Sequence, residues 1–472
     1  MKLSSPMEIW KYLPGTNCGI CDEKTCLAFA SLLKERKKVV EACTPLFTEE
    51  KYAEKSKQLV ALLAPEIREI EFGVGATARR MGGEDVMHRH ELTFFNRTLL
   101  AYDVWDTLDE VTLRERVQRL SSWRKFYVGE FLTLDAIAVR AVSGDPQRFA
   151  GCVKQVAAAT DLPLVLCSFD PEVLEAGLRE VAATNPLLYA ATSTNWRAVL
   201  ELARTYDVPV TLFSPDLDTL MSLARTFSTA GHAKLVLDPG TAPLGAGLAE
   251  TFTKLVQLRR AGIAEGTKEV AYPLLVVPMT AWLLQDDTGA GLDASYWEAV
   301  LATIGIIKYA DIMIMHSIEP HALIVERTLA ANIYTDPRRP VSVEPGLRAI
   351  GTPTAESPLF LTTNFALTYY TVESDLSSNK IDSYLLVVDT EGIGVEASVA
   401  GGQLTADRIK ETMDSIKVET TVTNRTLVIP GLAARLSGEL EDVTGWTVLV
   451  GPRDSGRLPG WLEEHWPPAR SA

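Results

Sequence analysis

Four cysteines near the start of the chain have the spacing of ligands to an inorganic cluster. Three of them lie within nine residues, and a fourth follows after sixteen more: Cys18, Cys21, Cys26 and Cys43. Three thiolates on one loop, with a fourth returning from beyond a helix, can close around a cubane of iron and sulfide. Zinc sites more often use two separated Cys-x-x-Cys pairs or added histidines, and no histidine precedes His88. The spacing favours iron-sulfur and leaves zinc as the alternative.

Small and hydroxyl-bearing residues follow four predicted strands in the last quarter of the chain. These loops contain Thr362–Asn364, Asp389–Val395, Pro430–Gly431 and Gly451–Gly456. Ligands bind at the carboxyl ends of strands in open α/β sheets, and four such loops offer the hydroxyls and backbone amides that suit a large flat cofactor. Glycine, threonine and aspartate are also common in strand-to-helix loops that bind nothing. The pattern alone leaves both interpretations open.

The cysteines belong to a short first module, residues 1–60. It contains one clear amphipathic helix, predicted over Thr25–Lys38, whose last turn is basic and so complements the negative end of the helix dipole. The module is too small to fold on its own core.

Residues 61–318 alternate short apolar runs with amphipathic helical stretches. Several runs recur at intervals of about 22 to 38 residues, the length of a strand and a returning helix, and about eight such units predict a closed (β/α)8 TIM-type barrel. One run, Leu92–Phe95, is the candidate for a surplus strand. The predicted strands are Glu69–Gly73, Leu92–Phe95, Leu132–Val139, Leu162–Ser168, Pro186–Ala191, Val208–Ser214, Lys234–Asp238, Tyr272–Pro278 and Asp311–Met315.

Three polar residues follow predicted barrel strands, where barrel enzymes place their chemistry. They are Asn195, Asp238 and His316. No nucleophile, base and orienting residue stand at a defined spacing, so a substrate site in the barrel itself is the less favoured interpretation.

Prolines and glycines interrupt the pattern over residues 319–357, which predicts an ordered crossing segment or linker and a hinge for the domain that follows. Residues 358–472 return to strands alternating with helices and predict a doubly wound, Rossmann-like domain. The fold class is therefore α/β: a small cluster module, a TIM-type barrel and a doubly wound domain.

The composition is that of a soluble globular protein, with 47% hydrophobic and 23% charged residues among 472. The net charge of -15 disfavours nucleic acid and anionic membranes as partners. No apolar run approaches the ~20 residues of a membrane span, and the first residues do not resemble a signal peptide, which together predict a cytoplasmic protein. Cys152 and Cys167 lie in apolar sequence and are predicted to be buried and inert.

Five motifs, taken together, are specific to one family. They are Leu13–Ala30 (LPGTNCGICDEKTCLAFA), Thr362–Tyr369 (TTNFALTY), Ser383–Gly392 (SYLLVVDTEG), Val428–Gly431 (VIPG) and Val450–Arg453 (VGPR). The chain resembles, over its whole length, the large subunit of the corrinoid iron-sulfur protein, the gamma subunit of acetyl-CoA decarbonylase/synthase.

The resemblance implies two cofactors. One is a 4Fe-4S cluster on Cys18, Cys21, Cys26 and Cys43. The other is a cobamide, a B12-type corrinoid, held in the last domain by Thr362, Thr368, Gly392, Ile393, Gly394, Val395 and Ser455. Family members tend to have alanine at the position of Ser455, a change that a backbone contact would tolerate. The last domain contains a single histidine, His465, outside any Asp-x-His-x-x-Gly motif, which matches the family's base-off cobamide.

The resemblance also implies a function: a methyl carrier of the acetyl-CoA (Wood-Ljungdahl) pathway. Cobamide Co(I) accepts a methyl group from methyltetrahydrofolate or methyltetrahydropterin through a methyltransferase and passes it to acetyl-CoA synthase, while the cluster returns Co(II) to Co(I). A smaller corrinoid iron-sulfur protein subunit would complete a heterodimer. The residues named hold cofactors, so whether the chain is itself an enzyme stays open.

Two other functions compete with this interpretation. One is a ferredoxin-like reductive activator of corrinoid proteins, whose last domain binds no cobamide. The other is a barrel methyltransferase that binds the pterin and methylates its own cobamide.

Overall fold

The computed structural model describes residues 5–87, 96–128, 130–284, 293–333 and 340–466. The chain divides into two compact units. The first unit contains residues 1–124 and 133–334, and the second contains residues 125–132 and 335–472. In the part of the chain that is described, no helix has both the length and the apolar character that a bilayer crossing requires.

The chain up to residue 333 contains helices and strands in regular alternation after a helical start. The helices are α1 (Pro6–Trp10), α2 (Cys26–Lys34), α3 (Thr44–Thr48), α4 (Ala53–Leu63), α5 (Glu110–Ser122), α6 (Pro146–Ala159), α7 (Pro171–Val181), α8 (Trp196–Tyr206), α9 (Leu217–Thr229), α10 (Gly245–Ile263), α11 (Ala294–Ile307) and α12 (Pro320–Ile333). The strands are β1 (Ile70–Phe72), β2 (Arg79–Met81), β3 (Leu99–Trp105), β4 (Arg124–Tyr127), β5 (Glu130–Thr133), β6 (Ala136–Arg140), β7 (Leu164–Cys167), β8 (Leu187–Ala191), β9 (Val210–Phe213), β10 (Leu235–Asp238), β11 (Leu275–Val276) and β12 (Ile312–Met315).

Eight parallel strands form the predicted (β/α)8 barrel, which is confirmed. Their order is β10-β9-β8-β7-β6-β3-β12-β11. A parallel bridge between Leu237 and Leu274 brings the two ends of this sheet together, and the amide of Leu237 donates to the Pro273 carbonyl at 2.8 Å. The strands are almost wholly apolar because the interior is filled with side chains and helices cover the outside.

The start of the barrel differs from the sequence prediction. The run Glu69–Gly73 contains β1, which pairs antiparallel with β2 and does not join the barrel sheet. Its apolar side chains pack against the amino-terminal ends of barrel strands, where Leu99 and Ile312 lie. The first barrel strand is β3, which the sequence pattern did not predict, and the predicted run Leu92–Phe95 lies outside the described residues.

The proline-rich region also differs from the prediction. Residues Pro320–Ile333 form the fourteen-residue helix α12, although Pro320 suggests a break. A proline in the first turn of a helix lacks only an N–H group that would have no intrahelical partner. The last part of the region, Gly346–Ile350, is an edge strand of the second unit.

The second unit contains a five-stranded sheet. Four of its strands lie within residues 358–472, where the sequence predicts alternating strands and helices, and the fifth lies in the predicted linker. Its strands are β13 (Gly346–Ile350), β14 (Leu359–Thr363), β15 (Ser383–Val388), β16 (Thr426–Ile429) and β17 (Thr447–Val450). Its helices are α13 (Ala366–Ser378), α14 (Val395–Gly401), α15 (Ala406–Ser415), α16 (Ser437–Thr444) and α17 (Leu458–His465). The order is β13-β15-β14-β16-β17, with only β13 antiparallel. The chain leaves β14 to one side for β15 and later to the other side for β16, so the carboxyl end of β14 is a topological switch point.

A short hairpin, β4 and β5, belongs to the second unit although its sequence lies within the barrel region. Its Phe126 ring packs edge-on against the ring of Tyr370 on α13, with centroids 6.5 Å apart. This insertion was not predicted from the sequence.

Candidate cofactor sites

The four predicted cluster cysteines line one small cavity in the first unit. Three of them are buried and Cys18 is exposed. Among the residues described, no three histidine, cysteine or acidic side chains are grouped so as to hold a single metal ion. Each thiolate of a cubane binds a different iron, which spreads the sulfurs further apart than the four ligands of one zinc ion. Four thiols around one cavity are the donor set that a cubane requires.

The loop that carries these cysteines is held in a tight curve. The side-chain oxygen of Asn17 accepts a hydrogen bond from the amide of Cys26 at 2.8 Å, which fixes the first residue of α2. Asn17, Gly19 and Asp22 have positive φ angles of 51°, 75° and 63°, so the backbone turns repeatedly. The ammonium group of Lys38 donates to the Cys21 carbonyl and lies 3.1 Å from the Glu23 carboxylate.

The thiols also influence one another electrostatically. Burial raises the pKa of the Cys43 thiol, and the nearby sulfurs of Cys21, Cys26 and Cys18 raise it further. Hydrogen bonds, first with the backbone of Ile20, lower the pKa of the Cys18 thiol. Four thiolates this close together need positive charge between them, which iron would supply.

A cavity of about 960 Å³ of empty space, partly open to solvent, lies at the carboxyl ends of β14, β16 and β17. This is the switch point at which an α/β sheet binds its ligand. Of the residues predicted to hold a cobamide, Thr362, Thr368, Val395 and Ser455 line it. The remaining three, Gly392–Gly394, do not line the cavity directly.

The loop Gly392–Gly394, called the glycine loop below, nevertheless adjoins the cavity. A Cβ atom on Gly394 would lie 3.8 Å from the hydroxyl of Thr368, in ordinary contact with it. Gly392 has a φ of +73°, and a Cβ atom there would lie 3.0 Å from the Pro340 carbonyl. The loop therefore runs beside the cavity in a conformation that a side chain at Gly392 would strain.

Thr362 carries a buried hydroxyl that has no partner. Its side chain is 1% exposed, and its Oγ1 makes no hydrogen bond with the described residues. Thr363 is equally buried and unpartnered, but it does not line the cavity. An unpaired buried polar atom costs about 1–3 kcal/mol, and Thr362 is the one of these two hydroxyls to which a ligand in the cavity could supply the missing bond.

Asn364 organises the loops around the cavity and was not predicted as a site residue. Its Oδ1 accepts from the Thr390 amide at 2.9 Å, the Thr390 hydroxyl at 3.1 Å and the Gly392 amide at 3.0 Å. Its Nδ2 donates to Asp389 at 3.0 Å. The side chain thus connects the loop after β14 to the loop after β15. The signal available in the sequence was an asparagine directly after a buried strand.

The cavity offers no imidazole to a metal. None of the described residues that line it is a histidine. His465 stacks on the ring of Trp461, with centroids 4.8 Å apart, and its Nδ1 lies 2.8 Å from the Trp461 carbonyl. Ser455 donates its hydroxyl to Asp375.

The three candidate residues of the barrel have different surroundings. Asn195 folds its own loop, because its Oδ1 accepts from the Thr192 amide at 2.6 Å. Asp238 is fully buried and accepts from the Tyr189 hydroxyl at 2.9 Å, and burial raises its pKa to about 7. His316 lies 2.8 Å from a buried carboxylate, Asp103, which was not predicted from the sequence.

Comparisons with known proteins agree with these features. Residues 69–462 match the family model described as CO dehydrogenase/acetyl-CoA synthase delta subunit, and residues 13–45 match one described as "Putative Fe-S cluster". Acetyl-CoA decarbonylase/synthase complex subunit gamma of Methanosarcina acetivorans is 55% identical over 99% of this chain and 100% of its own length. The subunit of the same name from Archaeoglobus fulgidus is also 55% identical, over the same shares.

Among solved structures, dihydropteroate synthase of Thermus thermophilus covers 56% of this chain and 98% of its own, at 18% identity and a TM-score of 0.39. This likeness is too low to carry an argument about function.

Proposed function

The chain belongs to the family of acetyl-CoA decarbonylase/synthase complex gamma subunits, and from this premise we propose that it is a corrinoid iron-sulfur methyl carrier. The cluster would be held by Cys18, Cys21, Cys26 and Cys43, and a base-off cobamide by the cavity of the second unit. When bound, such a cobamide supplies a Co(I) nucleophile for a methyl group, and the cluster supplies the electron that restores this state. The role of the protein is to hold both groups.

One observation carries the cobamide proposal: the unpartnered hydroxyl of Thr362 on the wall of a large cavity at the switch point. A corrinoid ring is rimmed with amide groups, which can hydrogen-bond to a buried hydroxyl of this kind. The glycine loop beside Thr368 allows a large flat molecule to approach the backbone. The absence of histidine among the described lining residues supports a cobalt without a protein nitrogen ligand.

The proposed partners follow from the need to receive and deliver the methyl group. They are a pterin-dependent methyltransferase, acetyl-CoA synthase and a small corrinoid iron-sulfur protein subunit in a heterodimer, acting in the cytoplasm. The relatives are named as subunits of a complex, which supports an assembly of this kind.

The first test is the metal content of the full chain, produced anaerobically with a cobamide supply and purified without oxygen. About one cobalt and about four irons per chain are expected. Iron alone, after attempted reconstitution with cobamide, would favour the ferredoxin-like activator. Methylation of the bound cobamide by a methyl-pterin with no second protein would favour the self-methylating barrel.

Replacing Thr362 by valine tests the hydroxyl itself. Valine has nearly the same shape, so the cobamide-free chain should be as stable as wild type or slightly more stable, since an unpaired buried hydroxyl disappears. Cobamide affinity, measured by equilibrium titration, should fall about three- to tenfold, the worth of one neutral hydrogen bond.

Thr363→Val is the matched control, because Thr363 is also buried and unpartnered but does not line the cavity. It should leave cobamide affinity unchanged. Equal losses in the two variants, or no loss in Thr362→Val, would contradict this assignment of the cavity.

A further inference from the structure

Three polar side chains on the neighbouring strands β6, β3 and β12 take inward-facing positions at the carboxyl mouth of the barrel. Side chains alternate between the two faces of a strand, and the residues two and four positions earlier belong to the apolar cluster inside the barrel. The three side chains are Asp103, Arg140 and His316, and by this alternation each of them faces the inside of the barrel. The apolar residues that precede them are Leu99 and Ala101 in β3, Ala136 and Ala138 in β6, and Ile312 and Ile314 in β12.

One buried carboxylate holds the other two side chains in place. Asp103 is 0% exposed; its Oδ2 accepts from Nε of Arg140 at 2.7 Å, and its Oδ1 lies 2.8 Å from Nδ1 of His316. Arg116 donates to the same carboxylate at 2.9 Å. These contacts lower the pKa of Asp103 even though burial alone would raise it. The carboxylate therefore stays charged and fixes both side chains.

The outer atoms of Arg140 and His316 are left without partners. In the described part of the chain, neither the two Nη atoms of Arg140 nor Nε2 of His316 makes a hydrogen bond to protein. Their side chains are 32% and 21% exposed, so solvent reaches them. Because the two side chains contact the two oxygens of one carboxylate, Arg140 and His316 lie side by side at the barrel mouth.

The local charge favours an anion. Two guanidinium groups, Arg116 and Arg140, face the single carboxylate of Asp103. Three further acids near the mouth are buried and already accept hydrogen bonds. Glu298 accepts from the amides of His316 and Ser317 and from the indole of Trp282. Asp106 accepts from the amides of Val142 and Ser143, and Asp238 accepts from the Gly240 amide and the Tyr189 hydroxyl.

Two tryptophans border the same side chains. The ring of Trp105 lies 5.5 Å from the His316 ring and 5.5 Å from Cζ of Arg140, and the ring of Trp282 lies 4.4 Å from the His316 ring. Such rings displace water from the two side chains, and a cationic group with less water around it attracts an anion more strongly.

We propose that Arg140 and His316, positioned by Asp103, bind a small oxyanion: the carboxylate or phosphate group of a ligand that enters the barrel mouth. The free Nη atoms of Arg140 donate to the oxyanion in a forked arrangement. Nδ1 of His316 already donates to the ionised Asp103, so Nε2 donates to the oxyanion from the side in the imidazolium form, in which both ring nitrogens carry a proton. The site lies within the first unit and does not depend on the cobamide proposal.

The test uses NMR of the full chain labelled at its histidine rings, of which there are six. Acetate and inorganic phosphate are titrated separately at constant ionic strength, and the His316 signals are assigned with His316→Gln. We expect the ring signals of His316 to shift and to reach saturation as the anion is added, while the signals of the exposed His465 do not. Saturation with acetate alone identifies a carboxylate site, and saturation with both identifies a general oxyanion site.

Arg140→Gln should lower the affinity for the anion about tenfold, because the forked pair of hydrogen bonds from the guanidinium group is lost. Arg114→Gln is the matched control: Arg114 is exposed on α5 and pairs only with Glu110 at 2.8 Å, so its loss should leave the titration unchanged. If Arg140→Gln fails to fold, Arg140→Lys replaces it, with weakening expected because lysine cannot form the fork. A His316 signal that does not move, or that moves without saturating and equally in the Arg140 variant, overturns the proposal.

Discussion

A chain in which Cys26 is replaced by alanine is expected to hold almost no iron, whereas the wild-type chain purified without oxygen holds about four irons. The backbone at Cys26 is fixed at the start of α2 by Asn17, so the loop cannot easily present another ligand in its place. The two remaining cysteines cannot substitute, because both are buried in the barrel region and burial raises the pKa of each thiol to about 12. Iron assay and visible absorbance measure the loss.

Cys152→Ala is the control, since Cys152 is a buried thiol on α6 with no part in the cysteine-lined cavity. It should retain the full iron content. A Cys26→Ala chain with four irons would exclude Cys26 as a ligand. Wild-type protein that holds zinc in place of iron would support the zinc alternative that the cysteine spacing leaves open.

The fold class could be predicted from the sequence because short apolar runs recur at the regular spacing of a strand and a returning helix. The prediction was wrong for strands whose local sequence pattern does not show which sheet they join or which side chains pair with them. Glu69–Gly73 alternates like a strand and is one, but its partner β2 keeps it out of the barrel sheet. Strand β3 was missed because Asp103 interrupts its apolar run, and only the folded barrel shows that two arginines and a histidine compensate that charge.

The candidate sites also contain residues that could be predicted from the sequence and residues that could not. The cysteine spacing identified four residues that line one cavity, because the ligands come from a single short stretch of chain. The loops of the second unit were also recognisable, since they follow predicted strands. The sequence of each loop does not show which side chain connects it to its neighbour. Asn364 belongs to the loop after β14 and makes hydrogen bonds to the loop after β15, more than twenty residues away.

Replacing Asn364 by alanine should therefore release the cobamide while the cluster stays bound. The substitution leaves the amides of Thr390 and Gly392 without their acceptor. Each buried group left unpaired costs about 1–3 kcal/mol. The turn through Glu391 and Gly392, both at positive φ, then loses its main support. Because this turn leads into Gly394 and Val395 beside the cavity, cobamide retention should fall at least tenfold.

The measurement is cobalt and iron per chain after gel filtration, with far-UV circular dichroism to confirm the fold. Iron should stay at the wild-type level, since the cysteines lie in the other unit. Asn379→Ala is the matched control: the exposed Asn379 follows α13, and its side-chain amide donates to the Asp375 carbonyl at 2.8 Å within the same helical segment, so cobalt should be unchanged. The cobalt content of Asn364→Asp should lie between those of wild type and Asn364→Ala, because the acceptor oxygen remains while the new negative charge faces Asp389. An Asn364→Ala chain that keeps its cobalt through gel filtration would show that the loop held by Asn364 does not retain the cofactor.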